Sequence, residues 1–122
     1  MTQEDRELLL KDLSGRLLHG VKVTTANPAV EIGVISGISI KGNISVSTKD
    51  ADIVFGCTEV KPYLRPMSSM TEEEKEEFGR LVSLFAFTEV NDWLNRNHLD
   101  YRGLIQKGLA LEVTPKNNPY KL

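Results

Sequence analysis

A single cysteine, Cys57, and two histidines, His19 and His98, leave the chain with little of the chemistry that metals and nucleophiles require. One thiol cannot form an internal disulfide, so nothing here implies an oxidising compartment. Neither a His-x-x-x-His nor a Cys-x-x-Cys spacing occurs, which leaves a zinc site without support. There is no Asp-x-Asp-x-Asp-Gly loop for calcium, no Walker loop and no dinucleotide fingerprint; Gly33, Gly37 and Gly42 stand among strand-forming residues. No cofactor is therefore expected. Long apolar runs are missing as well. Leu8-Leu9-Leu10 is far too short for a signal-peptide core, the N-terminus is acidic at Glu4 and Asp5, and nothing approaches the length of a membrane span. The expectation is a cytoplasmic protein without a membrane partner. Nor is there a basic excess: fifteen Lys and Arg face seventeen Asp and Glu, for a net charge of −2. That balance offers no footprint for a polyanion, so nucleic acid is not an expected partner.

What is present suits one α+β domain. A chain of 122 residues is long enough to bury a self-sufficient core without a staple or metal. Residues 1–113 read as a single globular unit and 114–122 (Thr-Pro-Lys-Asn-Asn-Pro-Tyr-Lys-Leu) as a loose tail. Residues 3–18 predict a helix, with Thr2 as its cap, Glu4 and Asp5 at the positive end of its dipole and Gly20 at its stop. Leu9, Leu10, Leu13 and Leu17 form its apolar face, and Gly15 weakens its last turn.

From Val21 the apolar period changes to two. Val21 and Val23 alternate with Lys22 and Thr24, Asn27-Pro28 marks a turn, and Val30–Ile40 is rich in β-branched residues. Gly33, Ser36 and Gly37 are positions for a bulge or bend. Gly42-Asn43 reads as a hairpin turn between Ile38-Ser39-Ile40 and Ile44-Ser45-Val46. A further strand runs from Asp52 to about Val60. Short loops favour pairing of neighbours, so these segments predict a four-stranded antiparallel meander.

Pro62 and Pro66 bracket Tyr63-Leu64-Arg65 and predict a semi-rigid extended connector. Thr71-x-x-Glu74 is a capping box and starts a helix at Glu72, with Phe78, Leu81, Val82 and Phe85 as its buried face. An unbroken helix to Asn97 would be roughly 39 Å long, against a radius of gyration of only about 14 Å for a domain of this size. The stripe also slips phase, and Thr88 with Glu89 looks like a second cap. Two helices, about 72–84 and 89–97, packed on one face of the meander, are expected. Asp100 can cap a helical turn over 101–106 that ends at Gly108, and Leu109, Ala110, Leu111 and Val113 form a closing apolar segment.

Two segments stand out. Tyr63-Leu64-Arg65-Pro66-Met67-Ser68-Ser69-Met70-Thr71, leading into Glu72-Glu73-Glu74, is followed by Asp100-Tyr101-Arg102-Gly103-Leu104-Ile105. Together they resemble an uncharacterised family of small proteins from anaerobic gut bacteria, which often sit among phage and mobile-element genes. The resemblance is close over 61–78 and 92–112, loose over 1–20 and weak elsewhere. It implies no activity, only a phage- or mobile-element-associated accessory role.

The residues themselves allow several chemistries. Cys57, His98 and Asp100 can be written as a nucleophile, base and orienter, but no nucleophile motif frames Cys57, and a small buried hydrophobe is the better account of it. Glu72, Glu73, Glu74, Glu76 and Glu77 point around a helix rather than towards one cation, so they read as a solvated helix start. Trp93 has the spacing of a core residue, and Met67 with Met70 that of gap fillers or an adaptable surface. Tyr63, Arg65, Asp100, Tyr101 and Arg102 form the candidate interaction surface, because Tyr and Arg pack at one end and hydrogen-bond at the other. Their alternative role is structural, with Arg65 or Arg102 holding helix-end carbonyls or pairing with Asp100. The function expected is a non-enzymatic interaction or accessory protein with an unknown protein partner. The alternative is a small ligand binder or enzyme using Arg65, Asp100, Tyr101 and Arg102, and a weak nucleic-acid binder comes third. A shared site requires Arg65 and Asp100 to lie close together, which only a broken helix permits.

Overall fold

A computed structural model describes residues 1–27 and 32–121. The expected turn at Asn27-Pro28 and the start of the next strand at Val30 fall at or within the gap, outside the described residues.

The first helix, α1 (Gln3–Arg16), begins where the sequence places it: the Thr2 hydroxyl accepts from the Asp5 amide. A helical turn over Leu17–His19 follows and Gly20 stops it at φ 66°. Leu9 and Leu13 are fully buried, but so are Asp12 and Arg16. These four positions recur at three and four residues, so they share one face. That face carries an ion pair inside the apolar stripe.

The meander is present, in four strands: β1 (Lys22–Thr25), β2 (Gly33–Ile38), β3 (Asn43–Ser47) and β4 (Asp52–Gly56), each antiparallel to the next. Ile44 and Val46 point inward and their neighbours outward, the alternation expected of a sheet with one covered face. Ser36 is the extra residue at the shift in register between Ile35 and Gly37. Two boundaries differ from expectation. The β2–β3 turn spans Ser39–Gly42 rather than Gly42-Asn43, because the Ser39 carbonyl and hydroxyl hold the Gly42 and Asn43 amides. The fourth strand stops at Gly56, where the Glu59 carboxylate accepts from the Gly56 amide and a turn over Cys57–Glu59 intervenes.

The larger correction concerns the connector. Val60–Pro66 is a fifth strand, β5, which pairs antiparallel with β1 through Val23↔Pro62, Thr24↔Lys61 and Thr25↔Val60. It also takes two short parallel partners, β6 (Leu99–Asp100) and β7 (Leu111–Glu112). The sheet is therefore mixed, in the order β4-β3-β2-β1-β5-β6 with β7 also on β5. Prolines ordinarily argue against a central strand. Here both occupy even positions, so with a period of two the missing donors belong to one edge. On the other edge the Arg65 amide donates to the His98 carbonyl at 2.7 Å.

The break in the long helix is real. Helix α2 (Glu72–Ser83) ends before α3 (Phe87–Arg96), and the N-cap of α3 is Ala86, without a side-chain bond, rather than Thr88. Two apolar clusters result. One joins Leu9 and Leu13 of α1 to Val21, Val23, Ile35, Ile44, Val46, Phe55, Val60, Leu64 and Leu104. The other gathers Trp93, Leu94 and Leu99, with Met67, Met70, Phe78 and Leu81 packed against them. Helix α2 leans on α3 through this second cluster and buries no residue completely. The sheet core is built by α1.

Residues 114–121, read as a loose tail, fold back on the body. The Tyr120 hydroxyl donates to the Tyr63 carbonyl at 2.7 Å and accepts from the Lys22 amide at 3.0 Å. Burial raises the pKa of Tyr120 to about 12. No helix among the described residues is long and apolar enough to cross a membrane.

Candidate functional site

Because the chain breaks after α2, the two motif segments meet as parallel strands: Arg65 pairs in register with Leu99 and Pro66 with Asp100. Arg65, Asp100, Tyr101 and Arg102 come to this junction, and most of their polar groups are spent on it, whereas Tyr63 pairs with Leu111 of β7. Arg65 makes a bidentate bond to Glu74, at 2.9 and 2.7 Å, and its remaining donors reach the Ser69 hydroxyl and carbonyl. Glu74 also accepts from the Thr71 amide at 2.9 Å, completing the expected capping box. The Arg65 hydrogen bond pulls the Glu74 carboxyl down to about 2, and the same bond raises Arg65. Helix α2 is thereby fastened to β5 at its first turn.

Asp100 pairs with neither arginine. Its carboxylate accepts from the Leu104 and Ile105 amides at 2.9 and 3.0 Å and so caps the turn that Gly108 closes. Tyr101 packs against two guanidinium groups, with Arg16 at 5.2 Å and Arg102 at 5.1 Å from its ring centroid, and its hydroxyl donates to Asn95. Arg102 reaches Asp12 at 3.4 Å. Asp12 also holds Arg16 at 2.8 Å, and Arg16 donates to the Leu99 carbonyl at 2.6 Å. Tyr63 is buried beneath the Tyr120 hydroxyl. The arrangement supports the structural role: these side chains tie α1, β5, β6 and α3 together. Sequence reasoning missed Asp12 and Arg16, although opposite charges four apart on the Leu9–Leu13 face carried the signal.

Cys57 belongs to the sheet core, whereas His98 stacks on Tyr120 with centroids 3.7 Å apart. With Asp100 occupied by backbone amides, the three do not assemble as a nucleophilic set. No group of three His, Cys, Asp or Glu among the described residues is placed to hold a metal.

Two surfaces remain open beside this junction. The first is a cleft of about 540 Å³ between the ends of β5 and α3 and the folded-back segment, lined by Arg65, Arg96, His98, Thr114, Asn118 and Lys121 among others. His98 stands just past the C-cap of α3 at φ 60°. Helices usually place glycine or asparagine there, because a Cβ is crowded in the left-handed region. Burial, then the charges of Arg16, Arg65, His19 and Lys22, hold its pKa down to about 4.

The second is the turn between α2 and α3. Val82 and Phe85 were expected inside; they are 43% and 76% exposed, and Leu84 and Phe87 are 63% and 65% exposed. The α2 end is a Schellman closure: Ala86 N–H donates to the Leu81 carbonyl and Phe85 N–H to the Val82 carbonyl. This puts Phe85 in the left-handed position at φ 54°, with its ring edge-on to Phe87 at 6.0 Å.

No family model matches the chain, and no curated protein or solved structure matches it either.

Proposed function

We propose that this is a non-enzymatic interaction protein whose docking element is the apolar knuckle between α2 and α3. The observation that carries this reading is Phe85, a large aromatic residue exposed at a backbone position that disfavours it. Strain of this kind persists where the side chain is needed at that place. The interaction surface thus moves away from Tyr63–Met70 and Asp100–Ile105, whose side chains are engaged within the fold, to the neighbouring turn. Burying the two exposed rings would supply about 2–4 kcal/mol, the scale of an interface hot spot.

The occupant is a different protein that offers an apolar groove rimmed by lysine and arginine. Residues 72–96 carry seven acidic groups against three basic ones, a net of −4 in a chain of net −2. A cationic rim complements that field, and a second copy of the same hairpin would oppose it. The resemblance of the two motifs to phage- and mobile-element-borne proteins suits an accessory role of this kind.

The test is photo-crosslinking with p-benzoylphenylalanine placed at position 87. The expected product is a heterologous adduct whose linked peptide is apolar and flanked by Lys or Arg. It should weaken with added salt and disappear in Phe85→Ser. Crosslinking only to another copy of the chain, or an adduct indifferent to Phe85→Ser, would overturn the reading.

A further inference from the structure

The cleft at the end of α3 has a use that the knuckle does not share. Among the described residues Arg96 and Lys121 form no ion pair, and both line this cleft. Arg65 and Glu74 in the same wall offset each other. The lining therefore carries an excess of two positive charges in a protein of net −2. A concave site with one sign of charge concentrates its field and draws counter-ions. Ser69, Thr71, Thr114 and Asn118 also line the cleft, their side-chain oxygens already accepting bonds from within the fold, and Val113, Pro115 and Tyr120 supply apolar wall. A volume of about 540 Å³ falls within the usual range for small-molecule sites.

The backbone points the same way. His98 occupies the left-handed position that closes α3, and its ring stacks face to face on Tyr120, with planes 10° apart. The Tyr120 hydroxyl is pinned by the Lys22 amide and the Tyr63 carbonyl. The stacked pair is thus a rigid wall that joins α3 to the folded-back C-terminal segment. A glycine at 98 would satisfy the helix end and leave the cleft without that wall.

We infer that this cleft binds a small organic anion, whose carboxylate or phosphate head is held by Arg96 and Lys121 and whose apolar body lies against Val113, Pro115 and Tyr120. The neutral imidazole of His98 is a positioning residue that keeps Tyr120 in place, and it also senses the ligand. An anion arriving beside it cancels part of the field that depresses its pKa.

The experiment is NMR titration of the full chain with phenyl phosphate, benzoate and inorganic phosphate. Saturable amide shifts are expected at Asn97, His98, Thr114, Asn118 and Lys121 with one or both organic probes, accompanied by a rise in the His98 pKa. The double variant Arg96→Ala/Lys121→Ala changes two side chains without ion-pair partners, so its thermal midpoint should stay in place while affinity falls about tenfold or more. His98→Gln should weaken binding less than the double variant. Three results would overturn the inference. One is the absence of saturable shifts with either organic probe at millimolar concentration. The second is equal affinity in the double variant. The third is inorganic phosphate binding as tightly as phenyl phosphate, which would mark an adventitious ion only. The knuckle is not involved, so loss of this site leaves the proposed docking function standing, and the reverse holds too.

Discussion

Replacing Phe85 by glycine and, separately, by alanine separates what its backbone costs from what its ring contributes. Both changes remove the ring and its edge-on contact with Phe87 at 6.0 Å, which at an exposed position is worth about 0.5 kcal/mol. Only alanine keeps a Cβ at φ 54°. The left-handed conformation costs an L-residue about 1–2 kcal/mol, and glycine gives back about 0.5–1 kcal/mol of that through its greater freedom in the unfolded chain. Glycine should therefore be the more stable variant by about 0.5–1 kcal/mol, a difference of about 2–5 °C in melting temperature. Against the unmodified chain, Phe85→Gly should be neutral or slightly stabilising and Phe85→Ala destabilising. Urea melts followed by the fluorescence of Trp93, the only tryptophan and a buried one, give both numbers. The denaturant slope should not change, because little surface moves. If alanine equals or exceeds glycine, position 85 is not left-handed in solution and the strain argument for the knuckle fails. If glycine wins and also abolishes the position-87 crosslink, the chain carries a residue that stability alone would remove.

Other consequences follow from the junction. Thr71→Ala removes the hydroxyl that accepts from the Glu74 amide and should cost about 1 kcal/mol; an unchanged urea midpoint at unchanged slope would exclude the cap. Asp12→Ala leaves the fully buried Arg16 without its carboxylate and should cost about 3–5 kcal/mol, whereas Arg102→Ala, which removes a 3.4 Å pair and a ring contact with Tyr101 at a partly exposed residue, should cost far less; equal losses would refute the assignment of Arg16 as the buried partner. Acid stability should decline in two stages, since His98 and Glu74 both bind protons less readily when folded and stability then rises with pH. The His98 contribution is complete above its usual 6.5 and is lost as pH falls through about 4. The Glu74 contribution is complete above 4.5 and lost towards about 2. His98→Gln should abolish the upper stage alone, as seen in melting temperature against pH, and a variant that keeps both stages would disprove the His98 assignment.

The elements legible in the sequence are those decided within a few residues. Thr2, the Thr71–Glu74 box and the cap supplied by Asp100 each involve partners no more than five positions apart, and each forms where expected; of the three bulge positions the sequence offers, Gly33, Ser36 and Gly37, the bulge falls at Ser36. The break near residue 86 was legible for a different reason, because a straight helix would have outrun the domain. Its cap was misplaced at Thr88, since the Schellman closure that ends α2 fixes where α3 can begin. Strand β5 was hidden by Pro62 and Pro66. Its pairing depends on His98 and Val113, some 33 and 49 residues away in the chain from Arg65 and Leu64, which donate to and accept from them.

Burial of α2 shows the limit most clearly. Periodicity put Phe78, Leu81, Val82 and Phe85 on one face, but it says nothing about whether that face is covered along its whole length. Trp93 and its neighbours cover the Phe78–Leu81 end and stop there. The backbone then tells the exposed end apart from an accident of packing. Gly20, Gly42, Gly103 and Gly108 take positive φ where the chain must turn, and among the described residues only Phe85 and His98 do so with a side chain attached. Each closes a helix where glycine would cost less, and each stands on one of the two open surfaces. His98 serves the fold there through its stack on Tyr120, whereas Phe85 leaves its ring exposed, which is the asymmetry the proposed docking role accounts for.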